Sequence, residues 1–538
     1  MKRDFAELTG KTFDLIVVGG GIIGTGIARD ASMRGLKTLL LEKEDFAYGT
    51  TSRSTRLIHG GLRYLQHFEF SLVRQDMRER EILLKIASHL VHPLPFLIPL
   101  VKPTDRIVMS MGTLVYDILS FDKSLPDRKH YSRDETLKME PTLEVEGLRG
   151  SYLYYDCQAP FPERLCVETA ISAAENGATV LNHARVTVIL KDGNTVKGVK
   201  FQDTLSGKEY QVSSRMVVNA AGHWMDSICG MMYGQPKDMV RRTKGVHLVT
   251  PKISNNAMMF YARSDGRVWF ITPWQGYSII GTTDTDYRKD LEAICAEKED
   301  VSYLMQEVQH SFPHLKTEDI FYAYAGLRSL PYTGDERPSN VSRAHKLIDH
   351  QRTDGIEGFI SVLGGKITGY RGIAEEVTNT ICKKLGVKAV CKTAKTPLPG
   401  APAVTKKQIE DSTRETGMPI ETVAHLADFY GSRFSRVLEM VKTDTRGKQP
   451  LCPHSKDILA QIWYAVSEES TLSVSDFMLR RSSSGLMQCR GTDAVETVAN
   501  EMGCLLGWNP QEQKTQIAGY LNVADQMQCY KVNSCPSK

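Results

Sequence analysis

The sequence predicts an α/β fold in three parts: a strand–helix–strand nucleotide domain, an antiparallel-sheet domain over it, and a C-terminal helical domain. Three observations predict it. Phe13 to Glu42 reads as strand, glycine turn, helix and second strand; residues 240–330 read as successive short strands; the chain from about 405 onward carries mostly helical patterning. At 538 residues the chain is too long for one hydrophobic core, so two or three domains are required. Apolar residues make up 41% and charged residues 24%, which places it among soluble globular proteins. A net charge of +4, with no basic cluster interleaved with aromatics, argues against nucleic acid as a partner.

The first element is the apolar run Leu15-Ile-Val-Val18, followed by Gly19, Gly21 and Gly24 in the spacing G-x-G-x-x-G. Gly19 allows the tight strand-to-helix turn, Gly21 lets backbone approach a pyrophosphate, and Gly24 lets helix and strand pack closely. The helix N-terminus then presents free N–H groups to phosphate. A second apolar run, Leu36 to Leu41, ends in Glu42, which lies 18 residues after Gly24, where a carboxylate can accept from a ribose. These features make a Rossmann-like dinucleotide-binding domain, and the acid favours FAD or NAD over NADP. The alternative is a Gly-rich turn in an ordinary α/β domain.

Residues 49–55, GTTSRST, form a small polar segment suited to wrapping a cofactor, with Thr50, Thr51 and Ser52 as contacts. Residues 60–150 read as an inserted, largely helical region. A helix over 164–176 follows, then strands near 179–190 and 195–202 with a turn at Asp192-Gly193. Val218-Asn-Ala-Ala-Gly222 ends another buried strand, placing Ala221 and Gly222 at the cofactor. This late return to the nucleotide domain is how FAD is enclosed. The FAD-binding domain is therefore assigned to 1–239 and 346–393, the substrate-binding antiparallel sheet to 240–345, and the helical cap to 405–538, after a Pro-rich linker at 394–404. Trp224 and Trp274 read as core.

Eleven cysteines are scattered, and no pair has C-x-x-C spacing. Such scatter reads as reduced thiols in a cytosolic compartment and argues against an iron–sulfur or zinc site, so no metal is expected. No run of 18 apolar residues suggests a spanning helix, and the basic start lacks an apolar signal core.

The segment Ser54-Thr-Arg-Leu-Ile-His-Gly-Gly-Leu-Arg-Tyr-Leu65 resembles the FAD-dependent glycerol-3-phosphate dehydrogenases. Further similar motifs follow in order: Val218-Asn-Ala-Ala-Gly-His-Trp224, Lys244-Gly-Val-His247, Ile280-Gly-Thr-Thr-Asp284, Tyr324-Ala-Gly-Leu-Arg328 and Gly364-Gly-Lys-Ile-Thr368 with Tyr370-Arg371. Phe429-Tyr-Gly-Ser432, Cys452-Pro-His454 and Phe477-Met-Leu-Arg-Arg481 look like that family's helical cap. There are two departures: Arg328-Ser-Leu where the family commonly has Arg-Pro-Leu, and Gly369 in place of a threonine. The cysteine spacing of the anaerobic branch is missing, so the chain is more similar to the aerobic, quinone-linked type.

The resemblance implies hydride transfer from C2 of glycerol 3-phosphate to FAD, yielding dihydroxyacetone phosphate, with electrons passed to a membrane quinone. An oxidase using oxygen would share the same first half-reaction, and an amine oxidase of similar form is the next alternative. A flavoprotein that binds RNA or senses redox state is the reading from another class. Alcohol oxidation needs a base for the hydroxyl proton. His59 is the candidate and His247 its competitor; each could instead be a hydrogen-bonded pocket-wall histidine. A phosphate requires fixed positive charge, assigned to Arg63, Arg328 and Lys366, with Tyr64 as a hydroxyl donor. The two arginines could alternatively be in ion pairs. Gly364, Gly365 and Thr368 are placed beside the flavin ring, before a helix whose N-terminus would stabilise negative charge there. Asp284 and Arg371 read as structural supports. Quinone access implies peripheral contact with the inner face of the cytoplasmic membrane. Residues 91–121 are its candidate, and a buried helix pair is the alternative. A homodimer is expected.

Overall fold

A computed structural model describes residues 1–532 apart from positions 2, 6, 7, 9, 236, 333–340 and 342. The expected substrate-domain stretch at 333–340 and the cysteine at 535 therefore lie outside the described residues.

The nucleotide domain is built on an eight-stranded sheet. Strand β1 (Thr12–Val18) leads through a glycine turn into helix α1 (Ile22–Met33) and back to strand β2 (Thr38–Leu41). β1 is central: β2 pairs with it in parallel on one side, and the strand Glu209–Asn219 pairs on the other. Both faces of β1 are covered, so Leu15 to Val18 are all apolar and 0–4% exposed. Strand Phe359–Leu363 extends the sheet in parallel, and the antiparallel Lys346–Asp349 closes that edge. The hairpin Ala184–Asp192 with Thr195–Asp203 turns at Gly193, whose φ of +56° needs glycine. β1 and Glu209–Asn219 point the same way, yet the chain leaves them in opposite directions across the sheet. Their C-terminal ends open a crevice between Gly19 and Ala220, the usual binding position in such sheets.

The second sheet has ten strands, and it draws some of them from outside residues 240–345. Strands Val240–Pro251, Ala257–Tyr261, Val268–Trp274 and Tyr277–Gly281 form where short strands were expected, and Tyr322–Pro331 pairs along Val240–Pro251. However, His92–Leu100 and Lys129–Ser132 from the region read as a helical insertion also join this sheet, as do Gly150–Gln158 and Leu57–Ile58. The segment 91–121 is thus one strand and one helix rather than a helix pair. Prolines at 93, 95 and 99 disguise the strand. They recur at odd positions, so their missing N–H groups fall on one edge, and nine residues still pair with Gly150–Gln158 along the other. The longer helices of this region are α2 (Phe70–Ile86) and α3 (Asp105–Leu119), with a short one at Arg133–Met139.

The C-terminal region is helical from Lys406–Thr416 to Pro510–Gln526. Residues 394–404 are not a free linker: Leu398 is buried, and a Cβ on Gly400 would lie 2.4 Å from His89 Nε2. Buried charge fastens the cap to the nucleotide domain. Asp45, just after β2, accepts from Arg480 Nε at 2.7 Å, Arg481 Nη1 at 2.7 Å and Asn182 Nδ2 at 2.9 Å, while Arg164 donates to Glu469 at 2.6 Å. Nine cysteines are free thiols and Cys295 is disulfide-bonded, which corrects the expectation of a fully reduced set.

Candidate active site

The crevice widens into a cavity of about 540 Å³ running from the glycine turn to the face of the second sheet. At its nucleotide end, Gly19 has a φ of +109°, and a Cβ there would stand 2.6 Å from Ala220 O. A Cβ on Gly24 would meet Gly19 O at 1.9 Å, so Gly24 serves helix packing and does not line the cavity. Gly21 lines it and would meet only Thr51 Oγ1, at 3.5 Å, so this stretch of backbone is open to a close ligand. Thr51 Oγ1 accepts from the Ile22 N–H at 3.1 Å and so caps α1. Glu42 lines the wall with both oxygens engaged, accepting from the N–H of Gly20 at 2.6 Å and of Glu44 at 2.9 Å. Burial raises its pKa, and these two backbone donors oppose the rise. Thr50 donates to Leu327 O at 2.6 Å, Ala221 and Gly222 form the opposite wall, and Gly364, Gly365 and Thr368 lie at the turn before helix Tyr370–Leu385. Ser52, by contrast, lies off the lining, and its hydroxyl donates to Gly49 O at 3.3 Å.

At the other end the two sheets bring His59, Arg63, Tyr64, His247, Arg328 and Lys366 to one cavity. The His59 backbone is clamped to Thr368: its N–H donates to Oγ1 at 3.0 Å, and that hydroxyl donates back to its carbonyl at 3.3 Å. The imidazole makes no hydrogen bond to any described residue. Burial, then Lys366, Arg63 and Arg80, push its pKa down to about 3, so the ring is neutral at working pH. His247 is more committed. Its Nε2 is 2.9 Å from Thr55 Oγ1, its ring stacks on Tyr324 at 4.9 Å, and burial with Arg328 and Arg56 lowers it to about 3.

Arg328 reaches out from strand Tyr322–Pro331 and donates to Asp284 Oδ1 at 3.1 Å, Thr282 Oγ1 at 2.9 Å and Thr283 O at 3.2 Å. Burial pulls it down to about 10, with Asp284 opposing, so it stays charged at neutral pH. Gly245 must lack a side chain here, since a Cβ would touch Arg328 Nη2 at 2.5 Å. Arg63 donates to Tyr64 OH at 3.2 Å. Burial would raise the Tyr64 pKa, but Lys366, Arg63 and Arg343 outweigh it and lower it. Lys366 lies over the Tyr64 ring at 3.9 Å and pairs with buried Asp76, so part of its expected charge is already neutralised.

Two features escaped sequence reading. Arg343 lines the cavity, bound to Asp284 Oδ2 at 2.8 Å, and carries no motif of its own. Trp224, expected in the core, lines the nucleotide end with Lys43 over its ring at 3.9 Å and its Nε1 donating to Glu292 at 2.9 Å. Trp274 is in the core as expected, and Asp284, expected only as a support, braces both arginines. The cations outnumber the carboxylates at this end, which suits a dianion, and a neutral imidazole stands among them.

A family model described as FAD dependent oxidoreductase matches residues 14–371, and one described as the C-terminal domain of alpha-glycerophosphate oxidase matches residues 391–513. A glycerol-3-phosphate dehydrogenase of Synechocystis sp. is 38% identical over 97% of this chain and 98% of that protein. An aerobic glycerol-3-phosphate dehydrogenase of Staphylococcus haemolyticus is 32% identical over 96% of this chain and 95% of that protein. Among solved structures, the glycerol-3-phosphate dehydrogenase from Bacillus halodurans complexed with FAD gives a TM-score of 0.79 at 28% identity, over 97% of this chain and 96% of that one.

Proposed function

The chain belongs to the family of FAD-dependent glycerol-3-phosphate dehydrogenases and oxidases, and from that premise we propose that it oxidises sn-glycerol 3-phosphate to dihydroxyacetone phosphate and passes the electrons to a membrane quinone. The residues present fit FAD. The Gly19–Gly21 backbone is a cradle that side chains would fill, and His223 Nε2 is a buried polar atom on the cavity wall with no hydrogen-bond partner among the described residues. Gly21 and the α1 N-terminus would take the pyrophosphate, Glu42 the ribose, and Gly364 to Thr368 the ring. Bound FAD supplies the hydride acceptor.

The observation that carries the reading is the neutral His59 imidazole set among Arg63, Arg328, Arg343 and Lys366. The cations hold the phosphate and fix which end of the substrate enters. His59 takes the C2 hydroxyl proton. The same cations that depress its basicity are offset once a phosphate dianion sits among them, so the base strengthens when substrate is bound. Anaerobic bleaching of the flavin by glycerol 3-phosphate, followed by re-oxidation, tests this. Bleaching with fast re-oxidation by quinone and slow re-oxidation by air is expected. Fast air re-oxidation would make it an oxidase, and no bleaching would mean another substrate.

Arg328→Lys is expected to raise KM for glycerol 3-phosphate about tenfold, and much more than KM for glycerol, since a lysine cannot reproduce the fork that spans Asp284 and Thr282. Equal effects on the two substrates would remove Arg328 from phosphate recognition.

The quinone assignment is supported by α3. Ile107, Val108, Met111, Leu114 and Ile118 are 45–65% exposed on this helix, with Phe68 and Phe121 nearly 80% exposed beside it and Lys102 and Arg106 exposed at its start. No helix among the described residues is long and apolar enough to cross a membrane, so this face suits one lying in the interface. It packs beside the short helix Leu62–His67 that carries Arg63 and Tyr64, an arrangement that fits a bilayer near the reacting end. Met111→Glu with Ile118→Glu is expected to weaken binding to anionic vesicles at least about tenfold, each side chain being worth about 1.5–3 kcal/mol when buried, while flavin bleaching is unchanged. Undiminished vesicle binding would dismiss this face.

A further inference from the structure

The cap region gathers a set of metal-binding side chains that the spacing of the sequence conceals. Cys452 and His454 lie in the loop before helix Ala460–Glu468; Cys489 and Asp493 lie in the turn before helix Val495–Leu506. One ligand atom from each of His454, Cys489 and Asp493 falls within 4.8 Å of the others, and His454 Nε2 stands 3.5 Å from Asp493 Oδ2. The thiol of Cys452 is hydrogen-bonded to that of Cys489 and stands next to this three-residue group as the nearest further sulfur. We propose that Cys452, His454, Cys489 and Asp493 bind one Zn²⁺ ion that ties the two cap loops together.

The donor chemistry selects the metal. Two thiolates, one imidazole and one carboxylate suit tetrahedral zinc, whereas calcium and magnesium require oxygen. Backbone donors converge on both sulfurs. The backbone N–H groups of His454 and Ser455 point to the Cys452 sulfur, and the N–H of Gly491 points to that of Cys489. Positive φ at Arg490 (+53°) and Gly491 (+72°) curls the second turn around its sulfur. A Cβ on Gly491 would meet Met478 Cε at 2.3 Å and Tyr520 OH at 2.5 Å, so the turn is held in that shape from behind. The Gln488 side-chain amide lies 2.9 Å from His454 Nδ1. With its oxygen turned to that nitrogen it fixes the Nδ1–H tautomer and leaves Nε2 to the metal, the usual second partner of a ligating histidine. Bonds of about 2.0–2.3 Å to a common ion draw tetrahedral ligands to roughly 3.3–3.8 Å of each other. The side chains of His454 and Asp493 are 32% and 42% exposed, so they are free to close that gap.

Four protein ligands leave no open position, so the ion is structural. Its place indicates what it holds. The N–H of Gln488 donates to Tyr277 OH at 3.4 Å, and Tyr277 begins strand Tyr277–Gly281 of the second sheet, so the zinc pins the cap loops beside the sheet that carries His247.

The test is metal analysis of the purified, FAD-loaded full chain prepared without chelators. About one zinc per chain is expected, with loss of that zinc in Cys489→Ser and in the double variant His454→Ala with Asp493→Ala. The double variant changes only half-exposed side chains, so it reads the site even where Cys489→Ser fails to fold. Zinc-stripped protein given Co²⁺ should show thiolate-to-cobalt charge-transfer absorption, and the double variant should not. Background zinc with no cobalt spectrum would overturn the proposal. So would equal zinc in the double variant, or recovery of Cys452 and Cys489 as a disulfide from protein alkylated at lysis.

Discussion

His59→Gln is expected to lower kcat at least about 100-fold while FAD stays bound, the usual worth of a positioned general base. The size follows from how the residue is held. Thr368 fixes its backbone from both sides, so the imidazole is aimed by the turn that also carries Gly364 and Gly365, and its ring nitrogens make no hydrogen bond to a described residue. Glutamine keeps the length and polarity without the basic nitrogen, so the flavin site should survive and the proton transfer should not. The charge state gives a second check. His59 lies well below its ordinary value, so the substrate-free enzyme should show no protonation of this ring between about pH 8 and 5, where a free histidine titrates. Labelled-histidine NMR, assigned by comparison with the variant, reads this directly. Near-normal turnover in His59→Gln would hand the role to another group. His247 is the less suited substitute, because its Nε2 is held by Thr55 and its ring by Tyr324.

Asp45→Ala is expected to destabilise the protein by about 3 kcal/mol, the cost of removing one partner from a buried charge network. Asp45 is 0% exposed and is the shared acceptor for Arg480, Arg481 and Asn182; Arg481 is also 0% exposed and would keep only Glu469, whose carboxylate is 3.7 Å away and shared with Arg164. The carboxylate belongs to the nucleotide domain and the arginines to the cap, so the loss should appear as early release of the cap. The thermal unfolding midpoint of the FAD-loaded enzyme should fall, and proteolysis near 394–404 should accelerate. Asp127→Asn, at a side chain 87% exposed, is the control and should shift stability by less than about 0.5 kcal/mol. Equal melting of Asp45→Ala and the parent would mean that the cap is held by its other contacts, Arg164 with Glu469 among them.

What was readable in the sequence is what short-range chemistry imposes. Gly19 and Gly24 are required because their neighbours leave no room for a Cβ. Leu15 to Val18 are apolar because a central parallel strand is covered on both faces. The turn at Gly193 needs positive φ, and glycine provides it within a few residues. The motif residues His59, Arg63, Arg328 and Lys366 were picked out by the family resemblance, which implied a reaction that needs a base and fixed cations.

Tertiary structure decided everything that depends on which distant residues meet. It moved His92–Leu100 from a supposed helical insertion into the second sheet, because alternating prolines mask a strand whose pairing partner lies some 60 residues on. It gave Lys366 a buried counter-charge in Asp76, brought in Arg343, and turned Trp224 from core to cavity wall. It also set Cys452 and His454 against Cys489 and Asp493. Local backbone preference extends over a few residues and is written in the spacing of glycines and apolar side chains. Electrostatic pairing, cavity lining and ligand sets depend on distances through space, and those exist only once the sheets and the cap are packed.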